Sequence, residues 1–188
     1  MDAIILAAGL GTRLRPHTEK TPKPLLAVRD RPILDWSLGA LPAAVDRVIV
    51  VVHYLGEQVE AYLKTQRHVP SWEVVRQETP RGTGDALLSC RDRLRPGTPF
   101  MVLNGDDLYG AADLSELSRH RAGLVCQMVS EPRKYGIAFL KDDGTLGTLI
   151  EKPPLDGPRL ANTGAYVFPP DVFETEPTPS RRSPRRIA

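Results

Sequence analysis

Residues 6–26 read LAAGLGTRLRPHTEKTPKPLL. The stretch opens as the end of an apolar run, 2–7, with the character of a buried strand, and then loses its regularity. Gly9 and Gly11 let the backbone turn sharply and bring its N–H groups close to an anion, and Arg13 adds a guanidinium able to clamp a phosphate through two parallel hydrogen bonds. Pro22 and Pro24 hold the chain extended on either side of Lys23, so its ammonium is presented from a stiff segment. A plain glycine turn with a solvated arginine explains the first half of the stretch equally well. The dinucleotide fingerprint G-x-G-x-x-G is excluded because Leu14 stands where its third glycine belongs, and the P-loop motif G-x-x-x-x-G-K-[ST] is absent from the sequence.

Working outward, short β-branched runs alternate with helical patterns. Strands are expected at 2–7, 47–53 (RVIVVVH), 72–77 (WEVVRQ) and 100–107 (FMVLNGDD), and helices at 33–41, 55–65 and 84–94. Val48 to Val52 is apolar throughout, as expected of a strand covered on both faces. This rhythm predicts right-handed βαβ crossovers and a Rossmann-like, three-layer α/β/α fold with a mostly parallel sheet. After Asp113 the pattern turns to strands with few helical gaps: GLVCQMV, YGIAFL, TLGTLIEK and LANTGAYVF, with the hairpin signal KDDGT between the second and third. The chain therefore reads as one domain, 1–174, with a nucleotide-binding half (1–112) and a β-rich half (113–174), followed by a basic Pro/Arg tail (175–188) expected to be disordered.

With 41% hydrophobic and 26% charged residues, the composition is that of an ordinary soluble globular protein. The net charge of +2 is carried by the tail, whose four arginines face one glutamate, so the body is close to neutral and nucleic acid is not an expected partner. Cys90 and Cys126 lie far apart and read as reduced thiols. The apolar start is too short to span a membrane and lacks a basic leader, which points to a cytoplasmic protein with no membrane partner. Self-association is left open.

The joint presence of LAAGLGTRL and TPKPL resembles the first signature of the sugar-phosphate nucleotidylyltransferases, L-A-G/A-G-x-G-T-R-L followed by x-P-K-P-L, and the likeness extends in order to Phe168. The resemblance implies that Leu6, Ala8, Gly9, Gly11, Thr12 and Arg13 bind the nucleotide and that Arg13 and Lys23 are catalytic. In RQETPRGTGDAL, Gln77 matches the glutamine whose amide reads a pyrimidine edge, while Gly82 and Thr83 match the backbone closing over the base. Taken alone, Gln77 is a strand-end polar residue and Gly82 a helix-capping turn. In VLNGDDLY, Asp106 falls at the family's metal aspartate, a hard oxygen ligand suited to Mg²⁺, with Asp107 less certain. On the β-rich side, Gly136 (KYGIAFL), Glu151 and Lys152 (LIEKP), and Asn162, Thr163 and Gly164 (ANTGAYVF) match positions that bind the sugar and its phosphate. Glu151 and Lys152 alone would be an ordinary solvated pair.

The resemblance thus implies nucleotidyl transfer from UTP or dTTP to a sugar 1-phosphate, with Mg²⁺ as cofactor. A compact nucleotidylyltransferase for a non-sugar phosphate, such as phosphocholine or a cofactor precursor, and a catalytically silent nucleotide-sugar-binding protein stay open. After VFPPDVFE the family continues to a second metal aspartate, whereas this chain reads TEPTPSRRSPRRIA. That departure is expected to mark a C-terminal truncation, by a frameshift near Ser180 or as a natural basic tail, and to weaken turnover more than nucleotide binding.

Overall fold

The computed structural model describes residues 1–79 and 81–175. The expected tail lies, from residue 176 on, outside the described residues. The chain begins with β1 (Asp2–Leu6) and a loop of three short turns, at Thr12–Leu14, His17–Glu19 and Lys23–Leu25. A two-stranded hairpin follows, β2 (Ala27–Val28) and β3 (Arg31–Pro32), and then α1 (Ile33–Ala40), β4 (Arg47–Val52), α2 (Gly56–Leu63) and β5 (Ser71–Arg76). Next come α3 (Thr83–Leu88), β6 (Phe100–Asn104) and α4 (Ala111–Leu117), and last the strands β7 (Gly123–Val129), β8 (Gly136–Leu140), β9 (Leu146–Glu151) and β10 (Arg159–Phe168).

Eight strands form one sheet in the order β5-β4-β1-β6-β10-β8-β9, with β7 also on β10. The first four are parallel, with Ile4 opposite both Ile49 and Val102. Neighbouring residues of these strands point to opposite faces, and both faces are covered. Ala3, Ile5, Val48 and Val50 pack with Leu34, Leu38, Val59, Leu63 and Leu114 from α1, α2 and α4. Ile4, Ile49 and Val51 pack with Ala86 and Leu87 of α3, Cys90 and Phe100. That is why the strands read as unbroken apolar runs, and it is the expected three-layer α/β/α arrangement.

One departure has a physical cause. The helix expected over 84–94 stops at Leu88, because the Ser89 hydroxyl turns back to the Ala86 carbonyl (2.6 Å) and the chain tightens into a 3₁₀ turn at Arg91–Arg93. The β-rich segment joins the same sheet. β10 runs antiparallel beside β6, with Ala165 opposite Leu103, and extends the parallel sheet by antiparallel pairing.

The chain runs outward from β1 to β4 and β5, then returns to β6 on the other side of β1. That reversal opens a crevice at the carboxyl ends of β1 and β6. Because β10 and β8 are antiparallel partners (Ala161 opposite Ile137), and so are β8 and β9 (Gly136 opposite Glu151), residues 162–164, 136 and 151–152 all fall at that same edge.

Candidate active site

The loop after β1 is held by its own side chains. Gly11 sits at φ 62°, a conformation other residues rarely adopt, and a Cβ there would meet Thr18 Cγ2 at 2.8 Å. The Thr18 hydroxyl, buried beneath the loop, donates to the Gly11 carbonyl (2.9 Å). Tyr54 and Gln58 fasten the far side, donating to the carbonyls of Glu19 (2.7 Å) and Lys20 (3.0 Å). Gly9 differs, because a Cβ there would meet no protein atom within 4 Å, so packing does not require its glycine. The space above it is left open for something to approach the backbone. Thr12 and Arg13 lie exposed in the first turn, and among the described residues the Arg13 guanidinium has no partner. Leu6 ends β1, and Ala8 is packed beneath the loop against Ile4 and Ile49.

Lys23 follows Pro22, which holds φ −65° and ψ 144°, and its ammonium pairs with the Asp106 carboxylate beyond β6. The two loops touch because residue 105 is glycine: its N–H donates to the Leu6 carbonyl (2.9 Å), and a Cβ would lie 2.8 Å from that oxygen. Asp107 turns toward the Asn104 amide (3.2 Å). Desolvation first, and then the negative charge of Asp106, raise its carboxyl above the ordinary carboxylate value. The Tyr109 hydroxyl lies 3.2 and 3.1 Å from the carbonyls of Asn104 and Gly164, tying this loop to β10.

Gln77 closes β5 on the other flank of β1. Its backbone N–H donates to the Val52 carbonyl (2.8 Å), and its carbonyl accepts from His53 Nδ1 (2.7 Å). Its side chain reaches Asp85 on α3 and the carbonyl of Gly82, which stands at φ 110° just before Thr83 opens the helix.

Across β6, the predicted sugar-side residues come together in part. Gly136 faces Glu151 across the β8–β9 ladder, and a Cβ on it would lie 3.2 Å from Glu151 Oε2 and 3.9 Å from Asn162 Cβ. Lys152 is held at φ 49°, its N–H bound to the Tyr135 carbonyl (2.8 Å) and its ammonium 3.8 Å from Glu151. A non-glycine residue in that conformation is strained by about 1 kcal/mol. The side chains of Asn162 and Thr163 bond within the fold. Asn162 bonds the Tyr166 hydroxyl and the Gly164 N–H (2.9 Å), and Thr163 donates to the Val125 carbonyl (2.8 Å), where the β10–β7 register shifts. Burial raises the Tyr166 hydroxyl above its ordinary value, and the bond to Asn162 opposes that rise.

Sequence reasoning missed four residues that shape this crevice: Thr18, Asp85, Asn104 and Tyr109. Asp85 gave a weak signal as an acid in the first turn of a short helix. A buried threonine in the polar stretch HTEKT gave none.

Among the described residues no group of three metal-ligating side chains is found. Mg²⁺ needs only one or two carboxylates, taking its other ligands from phosphates and water. Asp106 fits that role: its half-exposed oxygens lie at a strand end and already hold the cationic charge of Lys23.

A parallel α/β sheet with a glycine turn after β1 and a lysine–carboxylate contact between the β1 and β6 loops is the architecture of an α/β nucleotidyltransferase. The chain belongs to the nucleotidyl transferase family, whose model matches residues 2–187. It is 34% identical over 174 residues to the bifunctional protein GlmU of Methanocaldococcus jannaschii, covering 93% of this chain and 41% of that protein. It is 36% identical over 181 residues to the mannose-1-phosphate guanylyltransferase catalytic subunit beta of Drosophila pseudoobscura pseudoobscura, covering 92% and 49%. The chain therefore spans less than half the length of either relative. Among solved structures, it shares its fold with a UDP-glucose pyrophosphorylase complexed with UDP-glucose (TM-score 0.84, 23% identity, 99% of this chain and 83% of that one). It shares it also with HddC from Yersinia pseudotuberculosis complexed with GMP-PN (TM-score 0.72, 24% identity, 94% and 80%). No described helix is long and apolar enough to cross a membrane.

Proposed function

We propose that the chain transfers a nucleotidyl group from UTP or dTTP to a sugar 1-phosphate, giving a nucleoside diphosphate sugar and pyrophosphate. The observation that carries this reading is the contact between Lys23 and Asp106, which sets a phosphate-seeking ammonium against a metal-seeking carboxylate in the crevice beside the open backbone at Gly9. An oxygen of the sugar 1-phosphate attacks the α-phosphorus in line. The new P–O bond forms as the bond to the bridging oxygen breaks, and pyrophosphate leaves with that electron pair.

Such a transfer needs positioning and charge neutralisation more than covalent help. The backbone of Leu6, Ala8, Gly9, Gly11 and Thr12 cradles the triphosphate, Arg13 holds the departing pyrophosphate and Lys23 the α-phosphate. Gln77, Gly82 and Thr83 hold the base. Gly136 allows the sugar close, Glu151 accepts its hydroxyl hydrogens, and Lys152 binds its phosphate. Asn162 and Thr163 act through backbone shape, since their side chains are engaged within the fold. Bound to Asp106, Mg²⁺ would neutralise phosphate oxygens.

Pyrophosphate release from UTP or dTTP with a panel of sugar 1-phosphates tests the reading. Release that depends on a sugar 1-phosphate is the expected result. Release with phosphocholine alone would favour a non-sugar acceptor, and nucleotide binding without any release would favour a silent binding protein.

A further inference from the structure

Gln77 is only 5% exposed, and its amide has a fixed orientation. Its Nε2 lies 2.9 Å from Asp85 Oδ2 and 3.4 Å from the Gly82 carbonyl. Both neighbours only accept hydrogen bonds, so the amide atom between them is the NH₂ group, and its hydrogens are committed. Asp85 is in turn braced by Arg81 Nε at 3.4 Å. Gln77 Oε1 has no partner among the described residues, and no described buried side-chain oxygen or nitrogen is left without one. Oε1 therefore opens from an otherwise buried residue as a lone hydrogen-bond acceptor.

We propose that Asp85 is a positioning residue that sets base choice: by taking the Gln77 NH₂ it presents Oε1 to the base, so the crevice selects bases whose ring nitrogen on the pairing edge carries a hydrogen. Uracil and thymine offer such an N–H at N3, and guanine offers one at N1. Cytosine and adenine offer a lone pair in the same place, which Oε1 repels. With its NH₂ committed, Gln77 cannot make the paired donor and acceptor contact by which an amide reads adenine. Ring size is set elsewhere, so the selection is keto against amino within each ring class. This rests on the nucleotide reading of the crevice given above.

The test is equilibrium binding of UTP, CTP, GTP and ATP, each with Mg²⁺, to the unaltered protein, D85N and D85A. The unaltered protein is expected to prefer UTP to CTP, and GTP to ATP, by about 30-fold or more, the order expected when a buried acceptor is left facing another. In D85N the new amide can donate to Oε1, letting Gln77 turn its NH₂ to the base, and both ratios are expected to fall to about 3-fold or less. D85A, which removes the anchor without supplying a donor, is expected to lose discrimination as well. A merely structural Asp85 would lower the melting temperature and weaken all four nucleotides alike. Equal binding of UTP and CTP together with equal binding of GTP and ATP by the unaltered protein overturns the inference alone, as do ratios that persist in both variants. If neither variant folds, the ratios of the unaltered protein decide. Failure to bind any of the four overturns the nucleotide reading and the inference with it.

Discussion

Replacing Lys23 with alanine separates a ligand-binding role from a structural one. The Lys23 and Asp106 side chains are 22% and 42% exposed, so their ion pair is partly screened by water and stabilises the fold by about 1 kcal/mol at most. The carboxylate left behind still meets solvent, so no buried charge is orphaned. The loop shape does not depend on the ammonium either: Pro24 is buried, and the N–H groups of Leu25 and Leu26 bond the carbonyls of Pro22 (2.8 Å) and Lys23 (3.1 Å). For a domain of this size that loss lowers the melting temperature by about 2–4 °C. Removing one preorganised cation from a phosphoryl-type transition state costs about 100- to 1,000-fold in turnover. Thermal melting and steady-state pyrophosphate release on the same K23A preparation measure both. A melting temperature lower by about 10 °C or more, with turnover within about tenfold of the unaltered protein, would refute the assignment.

Asp2 is 2% exposed and bound by Arg47 Nε (3.0 Å), Arg47 Nη2 (2.7 Å) and the Arg95 N–H (2.9 Å) at the amino end of the sheet, away from the crevice. D2A is expected to cost about 1.5–3 kcal/mol in urea unfolding while nucleotide affinity of the folded fraction stays unchanged. Gly164 sits at φ 81° with Asn104 Nδ2 where a Cβ would go, so G164A is expected to lose about 2 kcal/mol or more and to weaken nucleotide binding by displacing Asn104. K152G relieves the strained backbone at φ 49° and is expected to gain about 1 kcal/mol in stability while raising the KM for the sugar 1-phosphate. Burial pushes the Asp35 carboxyl up, but hydrogen bonds from Tyr62, Arg31 and His68 outweigh it, and the value falls below the ordinary 3.8. That carboxylate stabilises the fold fully above pH 3.8, and the contribution disappears as pH drops through the lowered value; D35N, followed by melting from pH 7 downward, is expected to flatten this acid-side decline.

Where burial dictates pattern, the sequence is readable. β1 and β4 are covered on both faces, and their unbroken apolar runs announce parallel central strands. α4 was not anticipated, since only Leu114 and Leu117 of AADLSEL are buried and two residues give no period. The place of β10 between β6 and β8 depends on long-range pairing that no local pattern encodes. In the crevice, the glycine and proline punctuation pointed to the Gly9–Lys23 loop on physical grounds. Gln77 and Asp106 sit in loops that a parallel sheet brings together beyond its strand ends, but their roles, like those of the sugar-side residues, came from family resemblance. No local pattern announces the bonds that Asn162 and Thr163 make to Tyr166, Gly164 and Val125 where the β10–β7 register shifts. Asp85 is a like case: its importance comes from reaching Gln77 eight residues earlier, which only the folded β5–α3 corner reveals.

The position of a bound nucleotide tests the assignment most directly. In a crystal structure with UTP and Mg²⁺, the triphosphate is expected between the Gly9–Arg13 backbone and the Lys23 ammonium, the metal on Asp106, and the uracil N3–H on Gln77 Oε1. A triphosphate lying beyond hydrogen-bonding distance of both the Gly9–Arg13 loop and Lys23 would contradict it.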